Sequence, residues 1–390
     1  MVFNKLYSIA QMKRLITFTT LALLVAVTLI SQSGCGTEDE ITTSESNRWL
    51  ELLSALPANE HTLTAAYLQD LAYFSEKISE QTAPQYNISR QHHLSGYSIR
   101  VMPGKETDEE WKQTLGFVFA DVDQTIYAGA DPVHCYEAVR GRFSQEDVDN
   151  AARTGPMNDI LEINTYQGHE FYSWGGDFDV NLLMRSSVRP MGRGHRLALV
   201  DDFIFWVLWT EGIEEMIDSY EGNIESLADI EDYKLLAQGL EELDTVNAYF
   251  SSESHSPEYI EDLYQSLLED PSDERQQLAL EEIERETRLK PYQALATGSG
   301  YDGNGFYLAI VLLNLSEEVA QENATLLEQR INESRLTMGE HRGQQWSDVI
   351  ESMEIESRGR LTLARIYGEA CGMWDLFNIY EAWEPLLIHE

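Results

Sequence analysis

Cysteine is scarce in this chain, lysine and arginine are few beside the acids, and no apolar run reaches the length of a membrane span. Each shortage excludes something. Three cysteines, Cys35, Cys135 and Cys371, cannot build a zinc ribbon, which needs two CxxC pairs. No histidine falls in HExxH, so the helical zinc-protease site is missing: His169-Glu170 and Glu340-His341 lack the second ligand. His92 and His93 are neighbours and would face opposite ways on a strand. GxSxG is absent too, which removes the strand-to-helix nucleophile elbow of the common α/β hydrolases. There are 27 basic residues against 67 acidic ones, a net charge of −40 over 390 residues. Such a surface repels phosphate backbones and anionic lipid headgroups, so nucleic acid is set aside as a partner. Solubility is the simplest use of that charge, and collection of cations is the other.

What is present begins with an address. Residues 15–30, LITFTTLALLVAVTLI, are apolar apart from threonines, and at 16 residues they fall short of the ~20 that span a bilayer. Lys13 and Arg14 precede them and small residues follow, the pattern of an export signal peptide over 1–34. Met12 stands directly before Lys13, so translation can begin there or at Met1. Lys5, Lys13 and Arg14 are the charged residues of this leader; the other 24 basic residues share the body with all 67 acids, a net −43.

Ser33-Gly34-Cys35 resembles the lipobox of bacterial lipoproteins, departing from it at Gln32, where that family usually carries leucine. The resemblance implies acylation of Cys35 after cleavage and a chain held by its lipid on the extracytoplasmic face of a membrane. Ordinary cleavage after Ser33 and an uncleaved anchor are the alternatives. Residues 35–46 then form a polar tether. In an oxidising compartment Cys135 and Cys371 are candidates for one long-range disulfide, with two separate buried thiols as the alternative.

The body reads as α+β: antiparallel sheets with helices packed on one face. We divide it into an N-terminal part, 47–240, and a C-terminal part, 241–390. Asn47 opens a helix whose apolar face is Trp49, Leu50, Leu52, Leu53 and Leu56. The pattern predicts strands at 61–68, 115–128, 136–143, 160–166, 169–174, 195–200 and 203–209. Helices are predicted at 69–80, 145–154, 211–221 and 229–242, and a long loop within 82–110. Asp201-Asp202 marks a hairpin, and the wholly apolar 203–209 should be a strand covered on both faces. Further on come a strand at 245–250, helices at 257–269 and 273–287, and a hairpin 293–299/305–313. A helix at 316–334, strands at 348–356 and 360–367, and a helix near 372–383 complete the reading.

A strand, a serine cap and a helix recur around Ser144, Ser256 and Ser316, at spacings too uneven for a solenoid, which allows two related subdomains. The run from the strand pair 195–209 through Ser226-Leu227-Ala228-Asp229 and Tyr233 to the strand 245–250 resembles an uncharacterised group of secreted bacterial proteins. That resemblance covers under a fifth of the chain and implies architecture alone.

Chemistry is harder to find. Gly298-Ser299-Gly300-Tyr301-Asp302-Gly303 fits GxGxxG, but a strand follows where a dinucleotide site needs a helix, so the glycines are expected to supply positive φ in a hairpin loop. Asp121 with Asp123, and Asp177 with Asp179, are weak candidates for Ca²⁺. Tryptophans such as Trp206, Trp209, Trp374 and Trp383 fall at core spacing. We therefore expect no cofactor, no metal and no recognisable catalytic set. The expected function is a lipid-anchored extracytoplasmic module that binds a small molecule, a lipid or a protein. The alternative is a cell-surface, glycan-acting hydrolase whose carboxylates are hidden among many.

Overall fold

In the computed structural model, described for residues 47–80, 105–129, 133–186, 188–252, 254, 256, 287–334, 344–368 and 386–390, alternation along the strands decides the architecture. The helices are α1 (Arg48–Leu53), α2 (Leu71–Glu80), α3 (Lys105–Leu115), α4 (Gln145–Thr154), α5 (Thr210–Tyr220), α6 (Glu231–Glu242), α7 (Glu317–Glu333) and α8 (Trp346–Val349). Twelve strands form one antiparallel sheet: β1 (Ala65–Asp70), β2 (Val122–Ala128), β3 (Tyr136–Gly141), β4 (Leu161–Tyr166), β5 (His169–Trp174), β6 (His195–Val200), β7 (Phe203–Val207), β8 (Thr245–Ser251), β9 (Tyr292–Asp302), β10 (Gly305–Asn314), β11 (Ile350–Arg358) and β12 (Leu361–Gly368). Their order is β11-β12-β10-β9-β8-β1-β2-β3-β7-β6-β5-β4. The fold is α+β, as the hairpin-rich pattern requires.

Helices lie on both faces, so the expected covering extends to the second side. Phe203, Phe205 and Val207 of β7 join one core with Trp49 of α1, Ile213 and Ile217 of α5, and Leu236 and Leu240 of α6. The intervening Ile204 and Trp206 join another with Trp111 of α3 and Val148 and Ala152 of α4. On β10 the same alternation sends Ala309 and Val311 to the first core, while Leu308, Ile310 and Leu312 meet Leu327 and Ile331 of α7. Two covered faces explain why β7 and β10 read as unbroken apolar runs even though every neighbour is antiparallel.

The boundary at 240/241 falls inside α6, and the sheet passes from β1 to β8 to β9 without a break. The two parts nevertheless share a connection. After β3 the chain makes the Ser144-capped α4 and returns through a meander whose last strand, β7, pairs with β3. After β10 it makes the Ser316-capped α7 and returns so that β12 pairs with β10. Both serine hydroxyls accept from the backbone three residues on.

Several boundaries differ from the sequence reading. The strand expected from His61 starts at Ala65, because Asn59 and Thr62 close a hydrogen-bonded turn first. The strand expected over 115–128 starts at Val122: Leu115 ends α3, and Asp121 caps a 3-10 turn by accepting from the Val118 N–H. From Lys105 the stretch expected as a loop within 82–110 runs into α3, whose buried face is Trp111 and Leu115. Gly298 and Gly300 lie within β9, not in a loop. Both are needed for close approach: a Cβ on Gly300 would strike the Tyr307 ring, and one on Gly298 the Asn247 carbonyl. The helices expected at 257–269, 273–287 and 372–383, and Cys35 and Cys371, lie outside the described residues.

Candidate functional site

The four aspartates singled out in the sequence all have hydrogen-bonding or ionic work. Asp121 caps its own turn, and Asp123 pairs with Arg142 at 3.4 Å. Asp177 accepts from both the N–H and the hydroxyl of Thr210 at 2.9 Å, which caps the start of α5, and pairs with Arg196 at 2.6 Å. Asp179 accepts from the Gly176 N–H at 2.8 Å. Among the described residues no group of three or more His, Cys, Asp or Glu is arranged to hold a metal ion. Cys135 is buried, its sulfur 2.7 Å from the Tyr127 hydroxyl; burial, then the neighbouring thiol, pushes that phenol's pKa up.

Two polar features could serve a hydrolase. Glu214 on α5 has its carboxyl pKa raised, by burial first and then by Asp218, Glu211 and Asp177. An open groove of about 600 Å³ between α3 and α4, lined by Lys112, Asp147, Asn150, Thr154 and Pro156, brings a single carboxylate to its wall. The groove does not bring together the two carboxylates that a glycosidase needs.

A third feature is of a different kind. Between β5 and β6 the chain leaves the sheet after Trp174 and rejoins it at His195, and the described residues between them, 175–186 and 188–194, form a knuckle. Its register is set by hydrogen bonds and not by packing alone. Phe178 N–H donates to the Leu208 carbonyl, Asn181 N–H to Gly192, and Gly194 N–H to Asp179. Asn181 caps a 3-10 turn over Leu182–Met184 through its side chain. Met191 (φ 59°) and Gly192 (φ 66°) turn the chain back. A Cβ on Gly192 would lie 1.7 Å from the Asn181 carbonyl oxygen, so that position requires glycine. Arg189 is buried behind the turn and donates to the carbonyls of Arg193 (2.9 Å) and Gly192 (3.1 Å). Burial lowers its pKa, and no described carboxylate pairs with it.

The base of the knuckle is aromatic. Phe178 stacks on Trp209 at 5.6 Å, His134 meets both rings edge-on, and His61 stacks on His134 at 4.4 Å. Tyr136 packs against Trp209 and donates to Glu215; Asn59 donates to both Tyr136 and Glu215. Gly212 leaves room for the indole on α5.

The tip is apolar and in water. Leu183 is 98% exposed, Leu182 66% and Val180 53%, with Phe178 and Met191 partly bare below them. An ordered backbone that holds neighbouring leucines in solvent marks a contact site more strongly than scattered surface leucines do. The charge is as unusual as the apolarity. From Val180 to Arg196 there are four arginines and no acid, in a chain of net −40. Arg196 is neutralised by Asp177 and Arg189 is buried, while Arg185 is exposed beside the leucines. In this stretch Asp177 and Asp179 are singled out from the sequence, and the tip is not. The signal available there was the run of arginines without an acid.

No family model and no curated protein matches the chain. Among solved structures it is similar to crystal forms III, I and IV of TP0453, with TM-scores of 0.39, 0.35 and 0.37 and identities of 9%, 9% and 10%. Each alignment covers 83% of this chain and 95%, 94% and 95% of the other. Likeness at that level carries no functional argument.

Proposed function

We propose that this chain is an extracytoplasmic binding protein, held to a membrane by lipid on Cys35, that engages its partner through the knuckle at 175–194. The leader and the Ser33-Gly34-Cys35 sequence support the address. The observation that carries the binding role is the presentation of Leu182 and Leu183 to solvent by a hydrogen-bonded loop with a buried arginine strut. Building such a loop costs backbone entropy, and leaving its leucines in water forgoes their burial; a partner that covers them recovers about 1.5–3 kcal/mol per side chain.

The test is photo-cross-linking in cells that export the full chain. A photoreactive residue at position 183 should give a discrete adduct, to protein or to lipid. The same residue at the partly exposed position 224, far from the knuckle, should not. Equal and diffuse labelling from both positions would end the proposal.

A further inference from the structure

Resting on that reading of the knuckle as the contact element, we infer that its partner is a bilayer surface rich in anionic headgroups, into which Leu182 and Leu183 insert while Arg185 meets the phosphates. Shape comes first. Leu183 stands almost wholly in solvent, so a rigid protein partner would need a pocket to receive it. The headgroup–acyl boundary of a bilayer receives a projecting apolar tip without one. The side chains follow the order of depth that an interface asks for: leucines at the tip, Arg185 beside them, and Phe178, His134 and Trp209 at the base.

Charge gives the second argument. The body as a whole repels anions, and the sequence alone suggested that it would avoid such lipids. At physiological salt, however, the field of a distant carboxylate fades over ~8 Å. What a headgroup at the tip meets is the stretch from Val180 to Arg196, which has no acid. Of the carboxylates at the base, Asp177 is held by Arg196 and Thr210, and Asp179 by the Gly176 N–H.

Avidity is the third. One acyl anchor on Cys35 and one weak interfacial contact on the same chain bind a membrane far better together than either alone.

The experiment is vesicle co-sedimentation of the unacylated mature chain, residues 35–390 with Cys35→Ser, so that no lipid on the protein carries it down. Vesicles of phosphatidylcholine alone are compared with equal parts phosphatidylcholine and phosphatidylglycerol. Binding should favour the anionic vesicles and weaken with added salt. Leu182→Ser with Leu183→Ser should lower partitioning at least about tenfold on them. Arg185→Glu should lower it by a similar factor, with no loss on the neutral vesicles. Ile224→Ser should change nothing, and unchanged circular dichroism of each variant excludes misfolding. Absence of binding to either vesicle, or binding indifferent to these substitutions, overturns the inference. If position 183 then still cross-links to a discrete protein, the partner is a protein and the binding role of the knuckle stands. If it cross-links to nothing, both readings fall.

Discussion

His195 lies flat against Trp206, with ring centroids 4.1 Å apart and planes 17° from parallel. Trp174 packs on the same imidazole at 4.8 Å, and its Nε2 is buried without a hydrogen-bond partner. Burial, helped by the charges of Arg189 and Arg196, holds the imidazole pKa down at about 3. In the unfolded chain it returns to ~6.5. Below that value the unfolded chain takes up a proton that the folded chain refuses, so stability falls as pH drops from ~6.5 toward about 3 and is unaffected by this group above ~6.5. The slope is about 1.4 kcal/mol per pH unit. His195→Phe keeps a ring between the tryptophans and removes the proton. Urea unfolding at pH 7 and about pH 4.5 should show the wild type losing roughly 2–3 kcal/mol more than the variant between the two conditions. Equal losses would mean that the imidazole accepts its proton in the folded state.

This histidine also shows where sequence reading stops. The strands at 169–174 and 195–200 and the turn at Asp201 are legible, because alternation and a turn residue act over a few positions. The caps at Asn47, Ser144 and Ser316 are legible for the same reason. That His195 falls between two tryptophans depends on β6 lying between β5 and β7, which is a pairing choice and not a local one. The single sheet is hidden likewise: nothing near Ala65 announces that β1 will pair with β8, nearly two hundred residues on. The knuckle fails in another way. Val-Asn-Leu-Leu-Met at 180–184 has the composition of a core segment, and only the surrounding backbone turns it outward.

A buried polar network joins the C-terminal part. Asn323 of α7, fully buried, donates to the Asn314 side chain at 2.7 Å and to the Lys290 carbonyl at 3.0 Å, and accepts from the Lys290 N–H at 2.6 Å. Asn314 in turn donates to Leu312, Arg360 and Thr362. Asn323→Leu removes one amide and takes the partner from three groups, the Lys290 N–H, the Lys290 carbonyl and the Asn314 Oδ1. Each orphaned group costs ~1–3 kcal/mol, so denaturant unfolding should show a loss of at least about 3 kcal/mol. A loss below about 1 kcal/mol would mean that the three groups find other partners.

The address makes its own prediction. If Cys35 carries lipid, the wild-type chain partitions into the detergent phase and Cys35→Ser moves it to the aqueous phase. A knuckle contact alone is too weak to survive that extraction. Mass analysis of the wild-type chain should show the acyl groups on a chain that begins at residue 35; an intact leader, or a mature chain without acyl mass, would remove the anchor.

Gly192 connects the backbone of the knuckle to its exposure. At φ 66°, with the Asn181 carbonyl 1.7 Å from where a Cβ would stand, alanine there must push the two arms of the loop apart. The hydrogen bond from Asn181 N–H to the Gly192 carbonyl and the grip of Arg189 would open with them. Gly168 is the control, since it too has positive φ (92°) but a Cβ there meets nothing within 4 Å, so alanine brings backbone strain of about 1 kcal/mol and no clash. Local opening by 1.4 kcal/mol raises the cleavable population tenfold. Trypsin should therefore cut Gly192→Ala after Arg185 or Arg193 at least about ten times faster than the wild type, and Gly168→Ala at the wild-type rate. Equal cleavage of all three would show that the loop is not held in shape by its turn, and the exposure of Leu182 and Leu183 would then lose its meaning as a built contact.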